Sequence, residues 1–192
     1  MEKNAKSVQT VCEREDTPGE FVRRCFAQAL MRLMKHAPID KISITALCQT
    51  AGVSRMTYYR IYEQKEQIFR EYMKILVRDY SYLAGGGSLH RDEAHVLQAV
   101  RCFARNAEFV ECLQKAGLEQ ILLNGITDYM LHTGEKCASF SEECTRCYYA
   151  GALYNVCMHW FCGGMTQDEQ TVTQAVLSAI CGFWALPPLI SG

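Results

Sequence analysis

Strand-like alternation of Val, Ile and Thr is scarce in this sequence, and only four prolines occur in 192 residues. Both features argue against an all-β fold. No apolar run approaches the ~20 residues that a membrane-spanning helix needs, so no membrane partner is expected. Residues 1–20 lack the apolar core of a secretory signal, and a cytoplasmic location is expected. A Ser-His-Asp order, a phosphate-binding glycine loop and a paired-carboxylate motif are also missing. The five histidines, His36, His90, His95, His132 and His159, are scattered. Neither catalysis nor a cofactor is therefore expected. Nor does one charge sign dominate: 20 Lys and Arg stand against 21 Asp and Glu, a net charge of −1. A chain so balanced is not a basic coat for nucleic acid. The remainder, 49% hydrophobic and 21% charged, is an ordinary globular composition with room for one large or two small domains.

Cysteine, by contrast, is plentiful. Eleven is a high and odd number for this length. A secreted disulfide framework pairs an even number in a short, loop-rich chain. Here the cysteines lie within apolar stretches of helical period, where a reduced Cys serves as a small hydrophobe. Charge is also unevenly distributed. Residues 1–80 hold 14 basic and 10 acidic side chains, a net of +4, and the rest hold 6 and 11, a net of −5. Only the front segment has a sign that suits a polyanion.

Periodicity and capping signals predict an all-α protein of about nine helices. Residues 1–16 are polar and aperiodic, a flexible N-terminal tail. Thr17-Pro18-Gly19-Glu20 is a capping-box start. Behind it Phe21, Cys25, Ala29, Leu33 and Ala37 form one stripe, with Phe26, Leu30 and Met34 beside them, until Pro38 stops the helix. Ser43 caps a short helix that ends at Gly52, and Ser54 caps another to about Tyr62. A fourth runs from Lys65 to about Tyr80 and breaks at Gly85-Gly86-Gly87. Further helices are expected at 88–105, 107–115 and 118–132. Two more capping boxes, Ser139-Phe140-Ser141-Glu142 and Thr166-Gln167-Asp168-Glu169, open helices to about Cys162 and Ala185.

Ile44 to Arg60 fits a helix-turn-helix: a support helix, a turn through Gly52, and a second short helix whose N-terminal half can enter a major groove. That second helix offers Arg55, Met56, Thr57, Tyr59 and Arg60. Arginine suits a guanine edge and hydroxyls suit phosphates. Many helix corners share this pattern and bind nothing, but Lys65 at the next helix start adds a positive end suited to a phosphate.

These residues carry a resemblance. From about Phe21 to Tyr72 the chain resembles the DNA-binding domain of the tetracycline-repressor (TetR/AcrR) family, through Ile42-Ser43-Ile44-Thr45, Ala51-Gly52-Val53-Ser54, Thr57-Tyr58-Tyr59 and Lys65-Glu66. The resemblance implies a homodimeric, all-helical regulator, a repressor released by a small-molecule inducer, that binds a palindromic operator in double-stranded DNA. It divides the chain into a helix-turn-helix domain at 17–64 and a ligand-binding and dimerisation domain at 65–192. It implies a DNA-contacting set of Ser43, Thr45, Ser54, Arg55, Met56, Thr57, Tyr59, Arg60 and Lys65, in which Thr57, Tyr59 and Lys65 touch phosphates and Arg55 and Met56 face bases. Met56 departs from the family, which often has a small residue there. So do Cys48, where alanine is usual, and Ile61-Tyr62, where an aromatic-Phe pair is common. These departures bear on the operator sequence. Further on, Tyr148 to Leu153 and His159 to Met165 resemble a C-terminal type of small regulators in Gram-positive bacteria.

A single recognition helix reads too few bases to find one genomic site, so two-fold pairing is expected. The last two long helices are the candidate interface, through Cys147, Tyr148, Gly151, Ala152, Val156, Val172, Val176, Ala179, Ile180 and Phe183. The same stripes would equally serve a monomer core. Tyr72, Phe103, Phe109, Tyr129 and Trp160 are candidates to line an inducer pocket, each of them also a natural core residue. Cys144, Cys147, Cys157, His159 and Cys162 raise the alternative of a thiol or metal sensor. Residues 157 and 159 point about 200° apart on a helix, so no metal site is expected. The remaining alternative is a coregulator acting through protein contacts without DNA.

Overall fold

Nine α-helices and one 3₁₀ turn are present in the computed structural model, which describes residues 15–84, 93–133 and 136–182. In chain order they are α1 (Pro18–Met34), the 3₁₀ turn (Ile39–Lys41), α2 (Ile44–Ala51), α3 (Arg55–Ile61), α4 (Glu66–Leu83), α5 (Glu93–Arg105), α6 (Ala107–Ala116), α7 (Gln120–His132), α8 (Phe140–Cys162) and α9 (Glu169–Gly182). No strand occurs among the described residues, and no described helix is long and apolar enough to cross a membrane. Residues 1–14 of the tail expected at 1–16, the Gly85-Gly86-Gly87 break, the start of the helix at 88 and everything after Gly182, Phe183 included, lie outside the described residues, whereas Asp16, expected in the tail, is held by ion pairs to Arg24 and Arg78.

Local chemistry sets most helix ends. The Thr17 backbone N–H donates to Glu20 Oε2 at 2.8 Å and the Glu20 N–H donates to Thr17 Oγ1 at 3.3 Å, the reciprocal box expected at α1. Ser139 caps α8 by accepting from the Glu142 N–H, but the Glu142 carboxylate reaches one residue further back, to the Ala138 N–H at 2.9 Å. The start of α9 differs from the expected Thr166 box. The N–H and hydroxyl of Thr171 both donate to the Asp168 carboxylate, which these bonds hold below its ordinary pKa. Thr166 is left in the preceding turn, where Met165 takes a positive φ of 54° and the Trp160 indole N–H donates to the Gln167 carbonyl at 3.1 Å.

The helices pack in a chain of neighbours. α1 lies against α2 and α4, α4 against α7, α7 against α8, α8 against α9, and α9 returns to α5. The buried face of α1 is Phe26, Ala27, Ala29, Leu30, Met31 and Met34. Of the expected stripe, Ala29 is fully buried and Cys25, Leu33 and Ala37 are half-buried, but its first member, Phe21, is 62% exposed. Helix α4 belongs to both halves. Its start buries Ile68 and Phe69 in the core shared with α1, and Phe69 and Tyr72 meet the Phe109 ring of α6 edge-on at 5.5 and 5.2 Å. The boundary expected at 64/65 thus falls at the head of a helix that serves both sides.

Two polar clusters lock this frame. Arg24 of α1 pairs with Asp16 and Asp79, and Arg78 of α4 pairs with Asp16, Glu20 and Asp79, tying the start of α1 to the end of α4. Arg146 of α8 is buried. Its guanidinium donates to the carbonyls of Met130 and Thr133 at the end of α7 and pairs with Glu142 at 2.7 Å. A buried cation is stable here because helix-end carbonyls and a carboxylate satisfy it.

Candidate nucleic-acid interface and adjoining cavity

Helix α3 is presented by a turn whose geometry follows from Gly52. Its φ of 67° is left-handed, a conformation that costs other residues about 1–2 kcal/mol. Ser43 caps α2 by accepting from the Ala46 N–H at 3.1 Å, and Ser54 caps α3 by accepting from the Thr57 N–H at 3.1 Å. The Ser54 and Thr57 hydroxyls also bond each other at 2.9 Å. Beneath α3, Tyr58 and Tyr62 are 1% exposed and pack edge-on against Phe26 at 5.8 and 5.5 Å. Burial pushes both phenols above their ordinary pKa. Two rings inserted into the core therefore hold a seven-residue helix that would not be stable alone.

The opposite face is open. Arg55, Met56, Tyr59 and Arg60 are exposed, Met56 by 83% and Tyr59 by 59%. A shallow groove between α2 and α3, lined by Thr45, Cys48, Gln49, Gly52, Val53 and Arg55, adjoins them. Thr45, Arg55, Met56, Tyr59 and Arg60 thus share one solvent face, with Ser43, Ser54 and Thr57 at its rim as caps.

Lys65 behaves differently from the expectation. Its ammonium donates to the carbonyls of Ile39, Asp40 and Ile42, the last at 2.8 Å. All three N–H groups are engaged at the 3₁₀ turn, so Lys65 fastens the entry of α2 to the head of α4 instead of offering a free donor to a phosphate. Its spacing, 23–26 residues from those carbonyls, gives no local signal of this role.

A cavity of about 90 Å³ is bounded by α4–α8. Phe103, Phe109 and Tyr129 line it, as expected, and Met73, Tyr80 and Met130 join them. Tyr72 and Trp160 do not. Tyr72 is turned to the α1 side, where burial raises its pKa and Arg24 lies near, and the Trp160 indole secures the α8–α9 turn. Met73 carried no sequence signal beyond its helical period.

On the last two helices, Cys147, Tyr148 and Ala179 are exposed, and Gly151, Ala152, Val156 and Ile180 are half-buried. Val172 and Val176 are 4% and 1% exposed. They belong to the core of the single chain, against the expectation that they face a second copy, because α9 turns them toward the rest of the fold. Cys144, Cys147, His159 and Cys162 are exposed while Cys157 is buried, its thiol pushed up to about 12 by burial. Among the described residues no three His, Cys, Asp or Glu side chains could hold a metal, and no described cysteine is in a disulfide.

No protein-family model and no curated protein matches the sequence. Solved structures do match its fold. Lin0861 from Listeria innocua superposes with a TM-score of 0.69 at 16% identity, over 88% of this chain and 95% of that one. The dihydroxyacetone kinase operon activator DhaS gives 0.57 at 16% identity, over 84% and 94%. The fatty acid degradation regulator FadR from Bacillus halodurans gives 0.53 at 18%, over 88% and 98%. Identity this low speaks to architecture alone, and on that ground the chain shares with these structures the all-helical fold that its sequence led us to expect.

Proposed function

We propose that this protein is a cytoplasmic, DNA-binding transcriptional regulator, a repressor that grips a palindromic operator as a homodimer and is released by a small-molecule inducer. Residues 17–64 read DNA, and residues 65–192 dimerise and bind the inducer. The observation that carries this reading is the two-sided character of α3, with Tyr58 in the core and Arg55, Met56, Tyr59 and Arg60 free on the outer face. A helix held rigidly by one side with two arginines on the other suits a major groove. Arg55 and Met56, at its N-terminal end, face bases; Thr45, Tyr59 and Arg60 reach the backbone; Ser43, Ser54 and Thr57 hold the caps in register.

Dimerisation is supported by the surface of α8 and α9. No Asp, Glu, Lys or Arg occurs between Cys147 and Gln167 or after Glu169. Solvated helix faces normally carry charge. A side-chain carbon added at Gly151 would meet nothing within 4 Å, so a second helix has room to approach. Two recognition helices about 34–36 Å apart would then read successive major grooves.

Selection from random duplexes followed by mobility-shift titration tests the proposal. A palindromic site should emerge, with affinity falling steeply with salt. Arg55→Ala should cost about 1–3 kcal/mol on the selected site and relax one base position. A dimer with no salt-dependent duplex binding would replace this reading with a coregulator that acts through protein contacts.

A further inference from the structure

The cavity behind Phe103 and Phe109 carries information about what fills it, and the argument rests on the proposed regulatory reading only for the consequence of filling. No Asp, Glu, Lys, Arg or His lines it. Its polar side chains are mostly committed elsewhere. The Tyr80 hydroxyl donates to the His95 carbonyl at 3.0 Å, and the Asn106 amide donates to the Cys102 carbonyl at 2.8 Å. Burial pushes the Cys102 thiol up to about 11 and the Cys157 thiol up to about 12, so both stay neutral. The last is the Tyr129 hydroxyl, buried beside the Ser81 side chain without a well-formed hydrogen bond. A charged ligand would lose its hydration here without a counter-ion.

Size is set by a close helix approach. A side-chain carbon placed on Gly125 of α7 would lie 2.5 Å from Met73 Cε and 2.6 Å from Met73 Cγ. Met73 therefore rests on the bare backbone of α7, and only glycine leaves it that position. An apolar cavity of about 150 Å³ is known to take benzene. At about 90 Å³ this one is smaller, but Met73 and Met130 in its wall are unbranched and can turn to enlarge it.

We infer that the cavity binds an uncharged, hydrocarbon-like molecule no larger than about one aromatic ring, with the Met73–Gly125 contact setting its size and the Tyr129 hydroxyl orienting any single polar group. Toluene, phenol, benzoate and benzylammonium are matched probes, read by calorimetry and melting temperature on the full chain. Toluene and phenol should bind and raise the melting temperature; benzoate and benzylammonium should not. Ala99→Leu fills the cavity from α5 and should keep or raise the melting temperature while abolishing toluene binding. Gly125→Ala pushes Met73 inward and should weaken toluene by about fivefold, and it serves as the second variant if Ala99→Leu fails to fold. Tyr129→Phe should weaken phenol by about three- to tenfold and leave toluene unchanged. Benzoate binding as tightly as toluene, no binding of toluene at all, or toluene affinity unchanged in every filling variant that folds overturns the inference. Toluene that binds without altering DNA affinity would instead defeat the regulatory reading and leave the cavity's chemistry standing.

Discussion

The two ends of this molecule are built to different tolerances. Around α1–α3 and the head of α4, Phe26, Leu30, Leu47, Ile68 and Phe69 have no exposed surface, and three aromatic rings interlock under α3. Across α4–α8 the packing leaves a hole of about 90 Å³ with two methionines in its wall. Interiors are normally close-packed, so the contrast is informative. On the proposed reading, α3 enters a groove and needs a fixed attitude, because misplacing it by a fraction of its diameter would lose base contacts. A region that is to take up a molecule needs slack, and unbranched side chains supply it at little strain. Helix α4 joins the two, with Phe69 in the tight end and Met73 and Tyr80 at the loose one.

The largest effect that would break this comparison lies at Tyr58. Tyr58→Ala should cost about 3–5 kcal/mol in chemical denaturation and abolish DNA binding, because the ring is the anchor of α3. If the loss were no greater than for Tyr129→Phe, the front end would not be the rigid one. Next comes Lys65. Lys65→Met removes three charge-assisted bonds to the 3₁₀ turn and should lower stability by about 2 kcal/mol. DNA affinity should fall for all sequences while the salt slope stays nearly unchanged; a slope reduced by about 1 would mean that the ammonium meets a phosphate after all.

The smallest effect concerns pH and separates the two ends by their thiols. Cys157 and Cys102 belong to the loose end, and burial pushes them up to about 12 and about 11 from 9.0. A raised pKa means that the folded state holds its proton more tightly. Stability is therefore full below pH 9 and declines as the pH climbs, since the unfolded thiol ionises while the folded one does not. At pH 10 the loss should be about 1 kcal/mol per thiol. Melting curves between pH 8 and 10 check the sign, and Cys157→Val should flatten the decline.

Much of the fold was legible because helix ends are local events. Thr17, Ser43, Ser54 and Ser139 cap their own chain within three residues. Gly52 announces a left-handed turn wherever it is read. The same local logic failed at α9, where the box expected to start at Thr166 is replaced by Asp168, whose carboxylate accepts from the Thr171 N–H. The outer face of α3 was legible for a related reason. Period 3.6 puts Tyr58 and Ile61 on one side and Arg55, Met56 and Tyr59 on others. Periodicity alone could not say what lay across from each stripe. Phe21 was expected inside and is exposed, while Val172 and Val176 were expected at an interface and are core.

By itself the chain's residue order determined the helices, their boundaries within a few residues, the helix-turn-helix and the uncharged stretches of the last two helices. These depend on hydrogen bonds and side-chain spacing within a turn or two of helix. Tertiary packing alone decided that Lys65 would hold three carbonyls more than 20 residues away, that Tyr72 and Trp160 would face away from the cavity, and that Met73 would lie on Gly125. Each of those outcomes joins groups distant in sequence, and such meetings are set by how whole helices lean on one another.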